Sequence, residues 1–156
     1  MLSKYLQALT DVPGCTNVLE YQIKVTSNDP IKMKSYLVPY AMICQVDSEI
    51  EKMLKLVVIE ESNSPYSSSF VIVKKNDGTN RFCIDLRALN RVTVFDAEPM
   101  PSIEDMCSKI SGYKCWSKID LCKEHWQIPL SMETEHMTAF QTTRGCFNSK
   151  LYLLAW

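Results

Sequence analysis

The chain has 156 residues, of which 46% are hydrophobic and 22% are charged, a composition typical of one globular domain and not of a disordered segment. Seventeen basic and eighteen acidic residues leave a net charge of -1, so any site for a polyanion must be local. Seven scattered cysteines without a Cys-x-x-Cys pair argue against a zinc knuckle and indicate reduced thiols in an intracellular protein, and no apolar run predicts a membrane span or signal peptide.

The first part of the chain predicts an extended arm followed by a helix. Residues 10–40 contain three prolines and a glycine without sustained periodicity, so we expect an arm that needs a surface to lie on. From Asp47 onward the pattern becomes helical, with charged residues on the other face. The apolar positions at spacings of three and four are Val46, Ile50, Met53, Leu54 and Val57.

A β-hairpin is predicted next. Residues 70–73, Phe-Val-Ile-Val, read as a buried strand, and residues 76–79, Asn-Asp-Gly-Thr, have the turn chemistry that connects two strands. Residues 81–85 form the returning strand. In this strand two apolar residues alternate with three others, namely Phe82 and Ile84 with Arg81, Cys83 and Asp85.

The second half of the chain mixes helix and strand signals. Ser102, three residues before Asp105, predicts a capped helix that Gly112 ends, with an apolar stripe formed by Ile103, Met106, Cys107 and Ile110. Strands are expected over residues 113–121 and 138–142, the latter followed by a turn at Arg144-Gly145. Because helices and strands do not alternate regularly, the sequence favours an α+β fold.

Asp120 stands where a strand is expected to end, between apolar Ile119 and Leu121. A carboxylate at such an edge can present both oxygens to a hard cation such as magnesium. An aspartate at a strand end is also a common turn former or helix cap. By itself, the position of Asp120 leaves both interpretations open.

Three cations flank the predicted hairpin turn: Lys74, Lys75 and Arg81. Cations on both strands could clamp a polyphosphate, because arginine offers a fork of donors and lysine a point charge. The alternative is that they form the solvated side of an exposed hairpin. The local pattern does not decide between these two interpretations.

In order along the chain, these segments closely resemble successive blocks of the reverse transcriptase of Ty3/gypsy-type LTR retrotransposons. The resemblance runs nearly to Phe147, and the arm resembles the stretch between protease and polymerase in Pol polyproteins. The matching blocks are Ser64–Ser68, Val71–Gly78, Arg81–Asn90, Phe95–Pro101, Trp116–Leu121, Trp126–Pro129 and Thr138–Phe140. The resemblance implies the fingers and the beginning of the palm of a polymerase, here expected to be incomplete.

The family implies roles for individual residues. Positions matching Lys74 and Arg81 hold the triphosphate and lie against the incoming nucleotide, which favours the clamp interpretation. Asp120 matches the first metal-binding aspartate of the palm and is therefore the expected catalytic residue and Mg²⁺ ligand.

The segment after Asp120 is implied to touch the nucleotide as well. The backbone of Leu121 and Cys122 matches the part of the family that contacts the triphosphate. His125 stands where the family usually has Tyr or Phe, which packs under the sugar and excludes a 2′-hydroxyl.

Two departures from the family pattern affect the expected activity. Glu124 replaces a glycine close to the phosphates, and a like charge there is unfavourable. We expect the chain to end before the Tyr-x-Asp-Asp turn that supplies the other catalytic carboxylates. Residues 147–156 differ from the family, yet a DNA sequence encoding them can encode the family block in another frame, which suggests a frameshift near Phe147.

The sequence therefore predicts three segments: an arm or linker over residues 1–40, a partial reverse transcriptase domain over residues 41–146, and an aberrant tail over residues 147–156. The implied partners are an RNA or DNA primer-template, a deoxynucleoside triphosphate, and the protease, RNase H and integrase segments of a parent Pol polyprotein, with no membrane. We expect a polymerase fragment that is inactive alone. The alternatives are a non-catalytic module that binds nucleic acid or another polymerase fragment, and a relic without function.

Overall fold

A computed structural model describes residues 14–74, 78, 80–94, 99–118 and 123–152, and only the backbone of Glu124. Its α-helices are α1 (Ile43–Lys55), α2 (Arg87–Val92) and α3 (Ile103–Ile110), and short 3-10 helices span Tyr40–Met42, Glu124–Gln127 and Glu135–Thr138. Its strands are β1 (Ile59–Glu61), β2 (Ser69–Lys74), β3 (Asn80–Asp85), β4 (Phe140–Thr142) and β5 (Gly145–Ser149).

The strands form two antiparallel sheets that meet at one edge. Strand β5 pairs with both β1 and β4, and β2 pairs with β3 as a hairpin. Just before β2, the Ser68 N–H donates to the Ala139 carbonyl at 2.7 Å, and the Gln141 N–H donates to the Ser68 carbonyl at 3.1 Å. The hairpin is thereby joined to β4, and the expected α+β fold is confirmed.

Helix α1 is confirmed, but it begins before Asp47 and ends before Val57. Val46, Ile50 and Met53 are buried as the periodicity predicts. Val57 is 62% exposed and has a φ of 55°, so its assignment to the buried face is wrong. The reason is that the helix stops at Lys55, and the left-handed turn that follows directs the chain into β1.

The predicted hairpin is confirmed in both strands, and the structure supplies their register. Val71 lies opposite Cys83, and Val73 lies opposite Arg81. Gly78 has a φ of 82°, a conformation that glycine adopts without steric cost, whereas the other turn residues, 76, 77 and 79, lie outside the described residues. Cys83 and Asp85 are buried, which the simple alternation in β3 did not predict.

Four phenylalanines connect the hairpin to the three-stranded sheet. The rings of Phe70 and Phe82 stack with centroids 4.9 Å apart, and Phe82 meets Phe140 edge-on at 5.8 Å. Phe140, which is fully buried, lies 6.0 Å from Phe147 of β5. Together with the apolar face of α1, this row forms the core that fixes the position of β3.

The arm lies along the folded part of the chain. The Tyr21 N–H donates to the Pro129 carbonyl at 2.8 Å, and the Met33 N–H donates to the Ser67 carbonyl at 2.7 Å. Ile23 is buried, and its backbone N–H donates to the Thr134 hydroxyl at 3.3 Å. From residue 14 onward, the arm therefore finds the surface that its composition requires.

The predicted cap of α3 is confirmed, because the Ser102 hydroxyl accepts a hydrogen bond from the Asp105 N–H at 3.1 Å. Its apolar stripe is exposed in the structure, since Ile103 is 74% exposed and Ile110 is 52% exposed. The prediction of a strand over residues 113–121 is wrong for its described part, because residues 113–118 are exposed and lack strand structure. A strand needs a paired neighbour, and none of the described strands pairs with this segment.

Residues 147–152, the described part of the proposed tail, pack with the rest of the chain. Phe147 lies opposite Glu61 of β1 on one side and Phe140 of β4 on the other. Leu151 forms an isolated bridge with Pro129. Within the described ranges, no helix is long and apolar enough to cross a membrane.

Candidate nucleotide-binding cleft

A cleft of about 330 Å³ opens beside β3. One of its walls is β3 itself, another comes from α1, and a third is formed by residues 123–126. The lining residues that carry polar or charged groups are Glu49, Asn80, Arg81, Cys83, Lys123, His125 and Trp126. Two residues proposed from the sequence, Arg81 and His125, are thus brought together from distant parts of the chain.

Arg81 projects from β3 as an exposed side chain. Its position opposite Val73 is fixed by the hairpin register. Among the described residues, none forms an ion pair with Arg81. A planar fork of donors in a partly enclosed cleft suits phosphate oxygens.

Lys74 occupies a different face of the hairpin. It lies opposite Asn80, one step away in register from the Val73–Arg81 pair. Because successive residues of a strand point to opposite faces, Lys74 and Arg81 project to opposite sides of the two-stranded sheet. Lys74 is exposed and does not belong to the lining of the cleft. The remaining cation of the predicted clamp, Lys75, lies outside the described residues.

His125 is half-buried in the 3-10 helix Glu124–Gln127. Its imidazole ring packs edge-on against Trp126, with ring centroids 6.0 Å apart. His125 forms part of the cleft wall, and its match to an aromatic position of the family stays a prediction. The side chain of Glu124 is not among those described.

Lys123 and Trp126 belong to the same wall and were not singled out from the sequence. The Lys123 ammonium lies 4.0 Å from the centroid of the Trp126 ring, a cation–π contact worth about 0.5–1 kcal/mol at an exposed site. The backbone of Lys123 is left-handed, with φ 45° and ψ 50°, which costs a residue with a β-carbon roughly 1–2 kcal/mol. The available sequence signals were a basic residue three positions before a tryptophan and the position of Trp126 at the start of a matching family block.

Basic groups outnumber acidic groups among the described residues that line the cleft. Glu49 is its one carboxylate among the described side chains, and it forms an ion pair with Lys52 at 2.7 Å. Arg81 and Lys123 lack such an ion-pair partner within the described part of the chain. The described part of the lining therefore carries more positive than negative charge, in a chain whose net charge is -1.

Asp120, Leu121 and Cys122 lie outside the described residues, so their predicted roles stay predictions. Among residues 14–74, 78, 80–94, 99–118 and 123–152, no group of three His, Cys, Asp or Glu side chains could hold a metal ion. Within this part of the chain, the divalent metal that the resemblance implies therefore has no matching donor set.

A charged pair holds the end of β3 that leads into α2. Asp85 is 2% exposed, and the Arg87 side chain donates to its two carboxylate oxygens at 2.8 and 2.7 Å. These hydrogen bonds keep the pKa of the Asp85 carboxyl below its ordinary value. Since β3 carries Arg81, this pair helps to position one wall of the cleft.

A second charged group lies on the three-stranded sheet. Lys150 contacts Glu60 at 3.0 Å, and its hydrogen bond lowers the pKa of the Glu60 carboxyl. Burial and the nearby charge of Glu60 raise the pKa of Glu135. These residues belong to β1, the 3-10 helix Glu135–Thr138 and the segment after β5, so they stabilise the packing of the sheet and are not part of the cleft lining.

Comparison with solved structures identifies the fold. The foamy virus protease-reverse transcriptase superposes with a TM-score of 0.84 and 21% sequence identity, over 99% of this chain and 21% of that protein. A structure of the foamy viral enzyme in complex with an RNA/DNA hybrid gives a TM-score of 0.80 at 16% identity, over 99% of this chain and 21% of that chain. The partial polymerase fold expected from the sequence is confirmed.

Sequence comparison agrees with the fold assigned from the solved structures. A family model described as reverse transcriptase (RNA-dependent DNA polymerase) matches residues 73–155. The Pol polyprotein of transposon 297 from Drosophila melanogaster is 35% identical over 135 residues, covering 83% of this chain and 13% of that protein. The transposon Tf2-3 polyprotein of Schizosaccharomyces pombe is 30% identical over 130 residues, covering 83% of this chain and 10% of that protein. The chain therefore belongs to the reverse transcriptase family, among the Pol polyproteins of Ty3/gypsy-type retrotransposons.

Proposed function

We propose that this chain forms the nucleotide-binding fingers, and the beginning of the palm, of an RNA-directed DNA polymerase. The cleft beside β3 receives the deoxynucleoside triphosphate. The observation that carries this proposal is the presence of Arg81 and His125, far apart in sequence, in the lining of one anion-favouring cleft. Within the family, both positions are expected to contact the incoming nucleotide.

The two side chains have different roles in this proposal. The Arg81 guanidinium donates to phosphate oxygens, and the His125 ring packs against the sugar. Because imidazole is smaller than the phenol or phenyl ring usual in the family, we expect it to exclude a ribose 2′-hydroxyl less strictly. Lys74 projects from the other face of the hairpin and contributes to triphosphate binding by its charge near the hairpin tip, with a smaller effect than Arg81.

The remaining family assignments are parts of the same proposal. Asp120 is proposed as a ligand of Mg²⁺ and as a catalytic residue, with the backbone of Leu121 and Cys122 against the triphosphate. The proposed division is an arm over residues 1–40, a polymerase segment over residues 41–146 and an altered tail over residues 147–156. A primer-template, and the protease, RNase H and integrase segments of an intracellular Pol polyprotein, are the proposed partners.

Nucleotide binding by the full chain tests the role of Arg81. With a fluorescent deoxynucleoside triphosphate and Mg²⁺, Arg81→Ala is expected to raise Kd about tenfold, because a charge-assisted hydrogen bond is worth about 1.5–3 kcal/mol. Lys74→Ala should raise Kd by a smaller factor. Lys34→Ala, which removes an exposed arm lysine, serves as the control and should leave Kd unchanged. Equal binding by wild type and Arg81→Ala would contradict the proposal.

Primer extension tests whether the 156-residue chain can catalyse DNA synthesis by itself. The 156 residues contain no Tyr-x-Asp-Asp sequence, and Asp120 is the one carboxylate that matches the family site. Two-metal phosphoryl transfer needs several carboxylates, so we expect no incorporation above background with Mg²⁺ and a primer-template. Incorporation that Asp120→Asn abolishes would show that these residues catalyse extension and would overturn this expectation.

A further inference from the structure

Helix α3 presents an apolar face that the described part of the chain leaves exposed. Every residue from 99 to 118 is exposed, and α3 contains no buried residue. Its apolar stripe lies on one side of the helix, because the four residues are spaced by three and four positions. They are Ile103, Met106, Cys107 and Ile110. Contiguous exposed apolar surface of this kind marks an interaction site.

The apolar surface continues beyond the last turn of α3. The Trp116 Nε1–H donates to the Ile110 carbonyl at 3.3 Å, which holds the indole at the C-terminal end of the helix. Trp116 is 65% exposed, and Tyr113, which lies between the helix and Trp116 in the sequence, is 68% exposed. Two aromatic side chains therefore enlarge the surface available to a partner.

The stripe is self-complementary about its midpoint. Helix α3 begins at Ile103 and ends at Ile110, so its centre lies between Met106 and Cys107. In an antiparallel pair of identical helices related by a twofold axis, Ile103 of one copy lies opposite Ile110 of the other. Met106 and Cys107 then each lie beside their own counterparts, at the roughly 8–10 Å separation of packed helix axes. A second copy of α3 therefore matches the whole stripe.

The charges on α3 favour the antiparallel orientation. Glu104 and Asp105 lie in its first turn, and Lys109 lies in its last turn. An antiparallel pair places the acidic end of each helix beside the basic end of the other, whereas a parallel pair would bring like charges together. The net charge of -1 also means that two copies repel each other only weakly.

We propose that the apolar stripe of α3 is a self-association surface, on which a second copy of this chain docks helix against antiparallel helix. The surface is separate from the nucleotide-binding cleft, because none of its residues line that cleft. A helix of eight residues offers a small contact, below the roughly 1,200 Å² typical of stable interfaces. The dimer is therefore weak and depends on concentration.

Sedimentation equilibrium of the full chain under reducing conditions measures this association. We expect the weight-average mass to rise from that of one chain toward that of two between about 10 µM and 1 mM. Ile110→Lys places a charge in the contact and should raise the dimer Kd at least about tenfold. Its melting temperature should not change, because α3 contributes no buried residue. Leu37→Lys, which alters a fully exposed apolar residue of the arm, is the matched control and should leave Kd unchanged.

Three results of the sedimentation experiment would overturn the inference. One is a wild-type chain that stays monomeric over this range, which would assign the face to another occupant, such as a further segment of a Pol polyprotein. Another is association that Ile110→Lys leaves intact. The third is a mass that rises beyond that of two chains without reaching a limit, which indicates non-specific aggregation.

Cross-linking with a short bis-maleimide tests the midpoint of the contact. The reporter chain keeps Cys107, and it carries serine in place of the exposed Cys15, Cys44 and Cys115 and in place of Cys122. The matched control keeps Cys44 and carries serine at Cys107. Because association raises the effective concentration of paired thiols, the reporter should form covalent dimer at least about fivefold faster than the control. Equal rates would contradict the proposed pairing.

Mixed chains test the antiparallel orientation. Ile103→Cys and Ile110→Cys are introduced into separate chains that also carry serine at Cys107 and at the four positions replaced in the reporter. In the mixture, mass spectrometry should find mainly cross-links that join one variant to the other, and each variant alone should react slowly. A parallel pair would instead cross-link each variant to itself, which would show that the proposed orientation is wrong.

Discussion

Phe140→Ala is expected to lower the free energy of unfolding by about 3–5 kcal/mol, the cost typical of replacing a buried phenylalanine with alanine. Phe140 is fully buried and stands between Phe82 of the hairpin and Phe147 of β5. Its loss removes apolar contacts from both sheets and leaves a cavity where they meet. Urea denaturation followed by circular dichroism measures the change.

Two control variants separate packing from general effects of substitution. Phe140→Leu retains most of the apolar volume and should cost clearly less than Phe140→Ala. Leu37→Ala removes a fully exposed side chain of the arm and should change stability by no more than about 0.5 kcal/mol. A loss for Phe140→Ala no greater than that for Leu37→Ala would contradict the assignment of this core.

Asp85→Asn is expected to destabilise the fold by about 1.5–3 kcal/mol at pH 7, in line with the loss of hydrogen bonds to a charged group. The carboxylate is buried, whereas the Arg87 side chain is 63% exposed. Water can therefore solvate Arg87 after the substitution, which keeps the cost below that of leaving a charge buried and unpaired. Because β3 ends at Asp85, we also expect weaker nucleotide binding.

The destabilisation caused by Asp85→Asn should depend on pH. Hydrogen bonds from Arg87 lower the pKa of Asp85 in the folded chain, below about 3.9 in the unfolded chain. A lowered folded-state pKa contributes stability that is present above the unfolded pKa and is lost as pH falls through the folded pKa. The difference between wild type and Asp85→Asn should therefore be constant near neutral pH and shrink below about pH 4.

Urea titrations of both chains between pH 3 and pH 7 measure this difference. Glu61→Gln is the control, because Glu61 is exposed and has no ion-pair partner among the described residues. It should leave stability within about 0.5 kcal/mol of wild type. A constant difference between wild type and Asp85→Asn over the whole range would argue against an ionised, hydrogen-bonded Asp85.

Local sequence patterns were enough to predict the helix α1, the β2–β3 hairpin and the Ser102 cap of α3. Each depends on residues only a few positions apart: the spacing of Val46, Ile50 and Met53, or the hydroxyl of Ser102 beside the Asp105 N–H. Periodicity and capping act within one or two turns of chain, so they can be read without knowing the fold. The ordered family blocks also predicted the polymerase fold.

The tertiary structure decided which local patterns are buried. The stripe of α3 has helical spacing, yet Ile103 and Ile110 remain exposed, because periodicity describes a face of the helix and not what covers it. Asp85 shows the opposite case. Strand alternation groups it with exposed Arg81, yet it is buried, because the Arg87 guanidinium donates hydrogen bonds to its carboxylate. Burial depends on partners that the local pattern does not contain.

The candidate site shows the same division. The predicted hairpin and the family resemblance together pointed to Arg81, whereas the family resemblance alone pointed to His125. That Lys74 and Arg81 project to opposite faces follows from the hairpin register. Lys123 and Arg81 line the same cleft only because β3, α1 and residues 123–126 pack around it. Long-range packing brings these walls together, and short-range sequence patterns carry no information about such distances.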